Sequence, residues 1–196
     1  LQKDVLESQF PGIELVAEPS GAPVEIVPYD ARWPGIFAAW RDRLRTAVPI
    51  AVMIEHVGST AVPYLAAKPV VDIQISVADL EHEDSYVPAI ERLGLVLRSR
   101  HPQDRFFRPP AHQPRDVQIH VCGAGSRWEE EHILFRDFLR AQPPVRDAYA
   151  ALKIELAAKH RLDRLAYTDA KADFIRDALD RARRWAAATG WQITSS

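Results

Sequence analysis

The chain has 196 residues, 25 of them Lys or Arg and 27 Asp or Glu, for a formal net charge of −2. Roughly 100–200 residues make one domain, so residues 23–196 are expected to form a single unit with a sizeable core, and the near-balanced charge excludes bulk electrostatic capture of nucleic acid or of an acidic membrane while leaving room for a local basic pocket. The single cysteine, Cys122, excludes an internal disulfide and suits a reducing cytoplasm, and neither a long apolar run nor a basic start followed by an apolar stretch points to a membrane span or a secretory signal.

Residues 1–22 read as an arm and linker, ending in the breaker-rich run Glu18-Pro-Ser-Gly-Ala-Pro23. A short strand is predicted at 24–27. A helix then opens at Asp30-Ala-Arg-Trp-Pro34, where proline is tolerated in a first turn. Trp33, Phe37, Trp40, Leu44 and Val48 give it one apolar stripe, read as core. A strand at 52–57 stops at Gly58-Ser-Thr60. The next, at 70–77, alternates: Val71, Ile73, Ile75 and Val77 point one way, Asp72, Gln74 and Ser76 the other. A helix is predicted at 84–93, a weak strand at 95–98, and a loop with four prolines at 101–115. Residues 117–122 repeat the alternation, with Val117, Ile119 and Val121 opposite Gln118, His120 and Cys122.

Three helices should complete the chain. Ser126 with Glu129 is a capping-box pattern. Pro143-Pro144 separates this helix from a second, striped by Val145, Tyr149, Leu152 and Leu156. The third is expected over about 169–188. Four or five strands followed by these helices give an α+β fold.

The chemistry-bearing constellation is Glu55-His-Val-Gly-Ser-Thr-Ala-Val-Pro63 followed by Lys68-Pro-Val-Val-Asp-Ile-Gln74. A glycine turn lets backbone approach a phosphate. Exposed N–H groups and the Ser59 and Thr60 hydroxyls can donate to it, with Lys68 adding charge. Asp72, a carboxylate on the polar face of the second strand, must meet a wet pocket or a cation, because burying it unpartnered is costly. Gln74 reads as a neutral lining residue and a poor Mg²⁺ ligand, and His120 shares the carboxylate's sheet face. Arg105, before two phenylalanines, reads as an anion ligand or a packed lid. Tyr149 and Lys153 are four apart, as are Tyr167 and Lys171, so each pair shares a helix side. Lys171 or Lys153 either reaches a phosphate chain or snorkels beside its tyrosine. Arg136 and Asp137 read as a salt bridge that fixes helix orientation.

These segments, together with Arg105-Phe-Phe107, His120-Val121, Phe135-Arg-Asp-Phe-Leu139, Tyr149-Ala-Ala-Leu-Lys153 and Tyr167-Thr-Asp-Ala-Lys171, resemble the GrpB family over roughly residues 24–185. One departure is Tyr64, where the family usually has glycine after Val-Pro. The resemblance implies a nucleotidyltransferase-like fold: a mixed sheet with flanking helices and a C-terminal helical layer. It also implies relatives fused to dephospho-CoA kinase, while the polar constellation itself points to a nucleotide or other phosphorylated small molecule as ligand.

Working nucleotidyltransferases carry Asp-x-Asp and a third acid. Here Gln74 and Gln118 stand in place of two of them, so Mg²⁺ is expected to bind weakly, through Asp72, and only with nucleotide. Two functions follow. One is nucleotidyl or phosphoryl transfer from an NTP to a small acceptor, with Asp72, Gln74 and His120 at the reacting centre and Gly58, Ser59, Thr60, Lys68, Arg105 and Lys171 on the phosphates. The other is a catalytically silent module that binds a nucleotide or coenzyme-A precursor. The sequence leaves the oligomeric state open.

Overall fold

The computed structural model describes residues 12, 14–16 and 23–194. Among them is one six-stranded mixed sheet: β1 (Glu14–Leu15), β2 (Met53–Val57), β3 (Val71–Val77), β4 (Val96–Arg100), β5 (Asp104–Arg108) and β6 (Val117–Gly123), in the spatial order β1-β4-β5-β6-β3-β2. Only β3 and β6 run parallel, and the other pairs are antiparallel. Helix α1 (Trp33–Ala47) and the short α2 (Val87–Arg92) precede β6. After it come α3 (Arg127–Ala141), α4 (Pro143–Lys159), α5 (Arg164–Asp169) and α6 (Ala172–Thr189).

The period-2 pattern of the central strands decides the layering. Val71, Ile73, Ile75 and Val77 of β3 and Val117, Ile119 and Val121 of β6 are fully buried against Trp33, Phe37, Leu44 and Val48 of the α1 stripe, with Tyr86 and Ile90 beside them. Each such side chain contributes on the order of 1.5–3 kcal/mol by leaving water. The opposite face bears Asp72, Gln74, Ser76, Gln118, His120 and Cys122. It is covered by the C-terminal helices, whose own core joins Leu134, Phe138, Val145, Tyr149, Ala178 and Ala182 to Val62 and Leu65. A polar sheet face under a helical layer is where a site can be built, since its groups must find partners or a ligand.

The predicted elements hold with five corrections. The segment read as a loop over 101–115 contains β5, bracketed by the prolines that concealed it; Arg105 sits in this strand because Glu81 and Glu83 neutralise it. Residues 24–27 make one isolated bridge, Val27 to Ala67, and no strand. The helix expected at 84–93 is a 3₁₀ turn, Glu83–Ser85, followed by α2, with Pro88 in its first turn. The third C-terminal helix is α6, as expected, but a short helix that was not predicted, α5, precedes it across Ala170–Lys171. The expected arm contributes β1, which pairs with β4 at the sheet edge; the rest of 1–22 lies largely outside the described residues. The serine half of the capping box forms as read, with the Glu129 N–H donating to Ser126 Oγ at 3.2 Å, while Glu129 Oε2 accepts at 2.6 Å from the Gly125 N–H, one residue before the N-cap.

Candidate functional site

Gly58 ends β2 with φ 69° and ψ −169°. A Cβ added there would stand 2.6 Å from Asp72 Oδ2. The glycine is thus required twice, by the backbone angle and by the approach of a carboxylate on the neighbouring strand. Ser59–Ala61 follows as one 3₁₀ turn. Val62 to Leu65 then reverses the chain, the Leu65 N–H donating to the Val62 carbonyl at 3.2 Å. Pro63 and Tyr64 occupy the centre of this turn, and Tyr64 has φ 68°, the one non-glycine residue at positive φ among those described. Pro-x with positive φ at x is the type II arrangement, which favours glycine at x. Tyr64 is 78% exposed, touching Tyr29 and the Arg146 guanidinium. Tyr64→Asn should therefore raise the unfolding free energy by about 1 kcal/mol in a urea melt, since asparagine tolerates this region. A loss would mean that the Tyr29 and Arg146 contacts outweigh the strain.

Three lysines converge on this turn. Lys153 of α4 is 2% exposed and donates from Nζ to Ser59 Oγ at 2.8 Å and to the Ala66 carbonyl at 2.6 Å. Its ammonium lies 4.6 Å from the centre of the Tyr149 ring. Lys68, entering β3, and Lys171, between α5 and α6, each lie 4.4 Å from the centre of the Tyr167 ring. The tyrosine faces replace part of the water that an ammonium loses on burial. Burial, reinforced by the neighbouring cations, lowers Lys68 and Lys153 to about 7, and burial lowers Lys171 to about 8. Asp72 faces all three. Burial holds its carboxyl above the ordinary range although His120 and the lysines pull against it. Gln118 braces it, with Nε2 donating to Asp72 Oδ1 at 3.0 Å and Oε1 accepting from Arg115 at 2.6 Å.

The structure thus brings together Gly58, Ser59, Lys68, Asp72 and Lys171 of the residues marked in the sequence. Thr60 adjoins them, but its hydroxyl is 2.9 Å from His56 Nε2; His56 stacks on Phe37 under the other sheet face, and burial lowers it to about 3. Arg105 is not brought to the site. It is paired in register with Val121, on the α1 side, and bonds Glu83, Glu81 and the His101 carbonyl. Gln74 is fully buried on the site's face, and neither of its amide atoms has a hydrogen-bond partner among the described residues. His120 is there too, its Nδ1 2.7 Å from Asp104 Oδ2. Lys153, the most buried of the three cations, was visible only as half of a Tyr-x-x-x-Lys pair. Asp104 was hidden inside the presumed loop. The Arg136–Asp137 bridge is present at 2.7 Å, and Arg136 also bonds Glu55.

Mg²⁺ takes oxygen ligands in near-octahedral geometry. This face offers one carboxylate, half engaged by Gln118 and ringed by three ammonium groups. Among the described residues no cluster of three His, Cys, Asp or Glu could hold a metal. The residues of the ligand-free chain do not fit the ion. A separate surface depression lies between the start of α3 and the end of α6, lined by Glu129, Ala186 and Trp191, away from these groups. Among the described residues no helix is long and apolar enough to cross a membrane.

Comparison with known proteins places the chain. It is 40% identical over 163 residues to a UPF0157 protein of Streptomyces coelicolor, covering 83% of this chain and 86% of that one. It is 33% identical over 198 residues to a dephospho-CoA kinase of Mycolicibacterium paratuberculosis, covering 87% of this chain but 49% of the kinase. The crystal structure of a conserved GrpB protein from Enterococcus faecalis superposes with a TM-score of 0.74 at 27% identity, over 82% of this chain and 99% of that one. The model of the GrpB protein family matches residues 23–181, and the chain belongs to that family.

Proposed function

We propose that this chain binds the phosphates of a nucleotide, or of a nucleotide-like coenzyme-A precursor, at the Gly58–Ser59 turn, with Lys68, Lys153 and Lys171 supplying the countercharge. The observation that carries this is the Lys153 Nζ bond to Ser59 Oγ at a buried position, with two further lysines gathered around one carboxylate. Burying three cations near each other costs free energy in the empty protein, and a polyanion offsets that cost. The nucleotidyltransferase-like architecture and the dephospho-CoA kinase relative both favour a nucleotide over a bare inorganic anion. The net charge of −2 favours a small ligand over nucleic acid, in a reducing cytoplasm. Because Asp72 is the one carboxylate that faces the three lysines among the described residues, an Mg²⁺ ion in this reading arrives on the nucleotide.

Transfer of a nucleotidyl or phosphoryl group to a small acceptor is the second reading, and the His120–Asp104 pair on the same face favours it over a silent binding module. Calorimetric titration with inorganic tripolyphosphate, each NTP and dephospho-CoA, in EDTA and in Mg²⁺, tests the binding. Tripolyphosphate and at least one nucleotide should bind in EDTA, and Lys171→Met should weaken them by about tenfold, the loss of one charge-assisted contact. Absence of binding at millimolar concentration, or indifference to Lys171→Met, would overturn the assignment.

A further inference from the structure

Among the described residues, His120 is the one titratable side chain on the site's face held by a carboxylate of its own. Its Nδ1 lies 2.7 Å from Asp104 Oδ2, and the Asp104 side chain is 9% exposed. The ring packs on Phe106, with centroids 4.8 Å apart, and on Trp128, at 5.2 Å. Asp104 thereby selects the tautomer with the proton on Nδ1. Nε2 is left with its lone pair and makes no hydrogen bond among the described residues, while the side chain keeps 26% exposure. In the β3–β6 register Gln74 stands directly opposite His120, and Asp72 stands one same-face position away, opposite Gln118. Gln74 is the second observation: a fully buried amide with neither its donor nor its acceptor used among the described residues. A buried polar side chain left so costs about 1–3 kcal/mol, which a bound hydroxyl group would offset.

We propose that His120, positioned by Asp104 and flanked by Gln74, forms the acceptor subsite of a transfer reaction and takes the proton of an acceptor hydroxyl. This rests on the nucleotide reading above. In the step, the hydroxyl proton passes to His120 Nε2, and the hydroxyl oxygen forms a bond to the α-phosphorus of the nucleoside triphosphate. The bond from that phosphorus to its bridging oxygen breaks, its electron pair leaving with pyrophosphate. The imidazolium, stabilised by Asp104, then loses its proton to solvent. The substrate class is a small molecule with a free hydroxyl, water being the hydrolytic limit. The groups that bear on His120 are Asp104 on β5, His101 just before that strand, His132 on α3 and Asp72 on β3. Despite burial, the Asp104 contact raises His120 above the ordinary histidine range.

The test uses the whole protein. Nitrogen-15 NMR of the His120 ring should show the Nδ1–H tautomer in the wild type and a lower pKa in Asp104→Asn. Pyrophosphate release from each NTP, with glycerol or water as acceptor and with or without Mg²⁺, should fall about a hundredfold in His120→Gln, the usual loss of a general base. Calorimetric NTP binding should stay within about twofold of wild type in that variant. In Asp104→Asn the acid limb of the rate profile should move to lower pH, because a less basic imidazole is neutral at lower pH. NTP binding without any pyrophosphate release by the wild type overturns the proposal, as does release unaffected by His120→Gln, or an Nε2–H tautomer. Absence of NTP binding would instead bring down the nucleotide reading, and the acceptor subsite with it.

Discussion

Arg136→Met is expected to destabilise the protein by about 3–5 kcal/mol, the range for breaking a buried ion pair from one side. The guanidinium and the Glu55 carboxylate are 4% and 1% exposed and 2.7 Å apart. Arg136 also donates to the His56 carbonyl at 3.0 Å and to Asp137 at 2.7 Å. Glu55 points from β2 into the interface that α3 covers, so removing the cation leaves a charge where water cannot solvate it. The double variant Arg136→Met, Glu55→Met should recover at least half of the loss, because two apolar chains of similar volume refill the space. Urea denaturation of the two single variants and the double variant measures this as a coupling energy. A cost below about 1 kcal/mol for Arg136→Met would show that α3 is held to the sheet by its apolar contacts alone.

Polyphosphate affinity and the stability of the empty protein should respond to pH in opposite directions. Burial, reinforced by the neighbouring cations, lowers Lys68 and Lys153 from 10.5 to about 7, and burial lowers Lys171 to about 8. For a lysine lowered on folding, the unfolded chain holds more protons between the folded and unfolded values. Stability therefore rises with pH from about 7 towards about 10 and is least below that window. Binding an anion needs the protonated form, so NTP affinity should fall at least about a hundredfold between about pH 7.5 and about pH 9.5, a window in which the nucleotide's terminal phosphate is already largely ionised. Lys153→Met should make that fall shallower, by about one proton, while leaving the folded state near its original stability because a buried charge is replaced by an isosteric apolar chain. Urea melts and calorimetric titrations across the same buffers decide it. Affinity that stays flat over the window would mean that these lysines do not carry the phosphates.

The layering was legible in the sequence wherever alternation was clean. Ile73 and Ile75 against Asp72 and Gln74, and Ile119 against Gln118 and His120, declared which face would be core and which polar. That Gly58-Ser59 would lie beside Asp72 was legible because their spacing brings a turn next to a carboxylate across one hairpin. What stayed hidden depended on contacts distant in sequence. Asp104 and Arg105 look like loop residues until Glu83 and His120 neutralise them. Lysine is ordinarily a surface residue, so nothing local shows that Lys153 is buried while Lys159, on the same helix, is exposed. The brace from Gln118 to Asp72 exists only once β3 and β6 adopt their register.

Ser59 and Lys153 are 94 positions apart, one on the sheet's turn and the other on the covering layer. The contact between them consequently exists in neither half alone. If an anion binds the turn as proposed, capturing it and seating the helical layer are one equilibrium read from two ends: the ligand acts as mortar between two courses, and its binding free energy adds to the cohesion of the whole molecule.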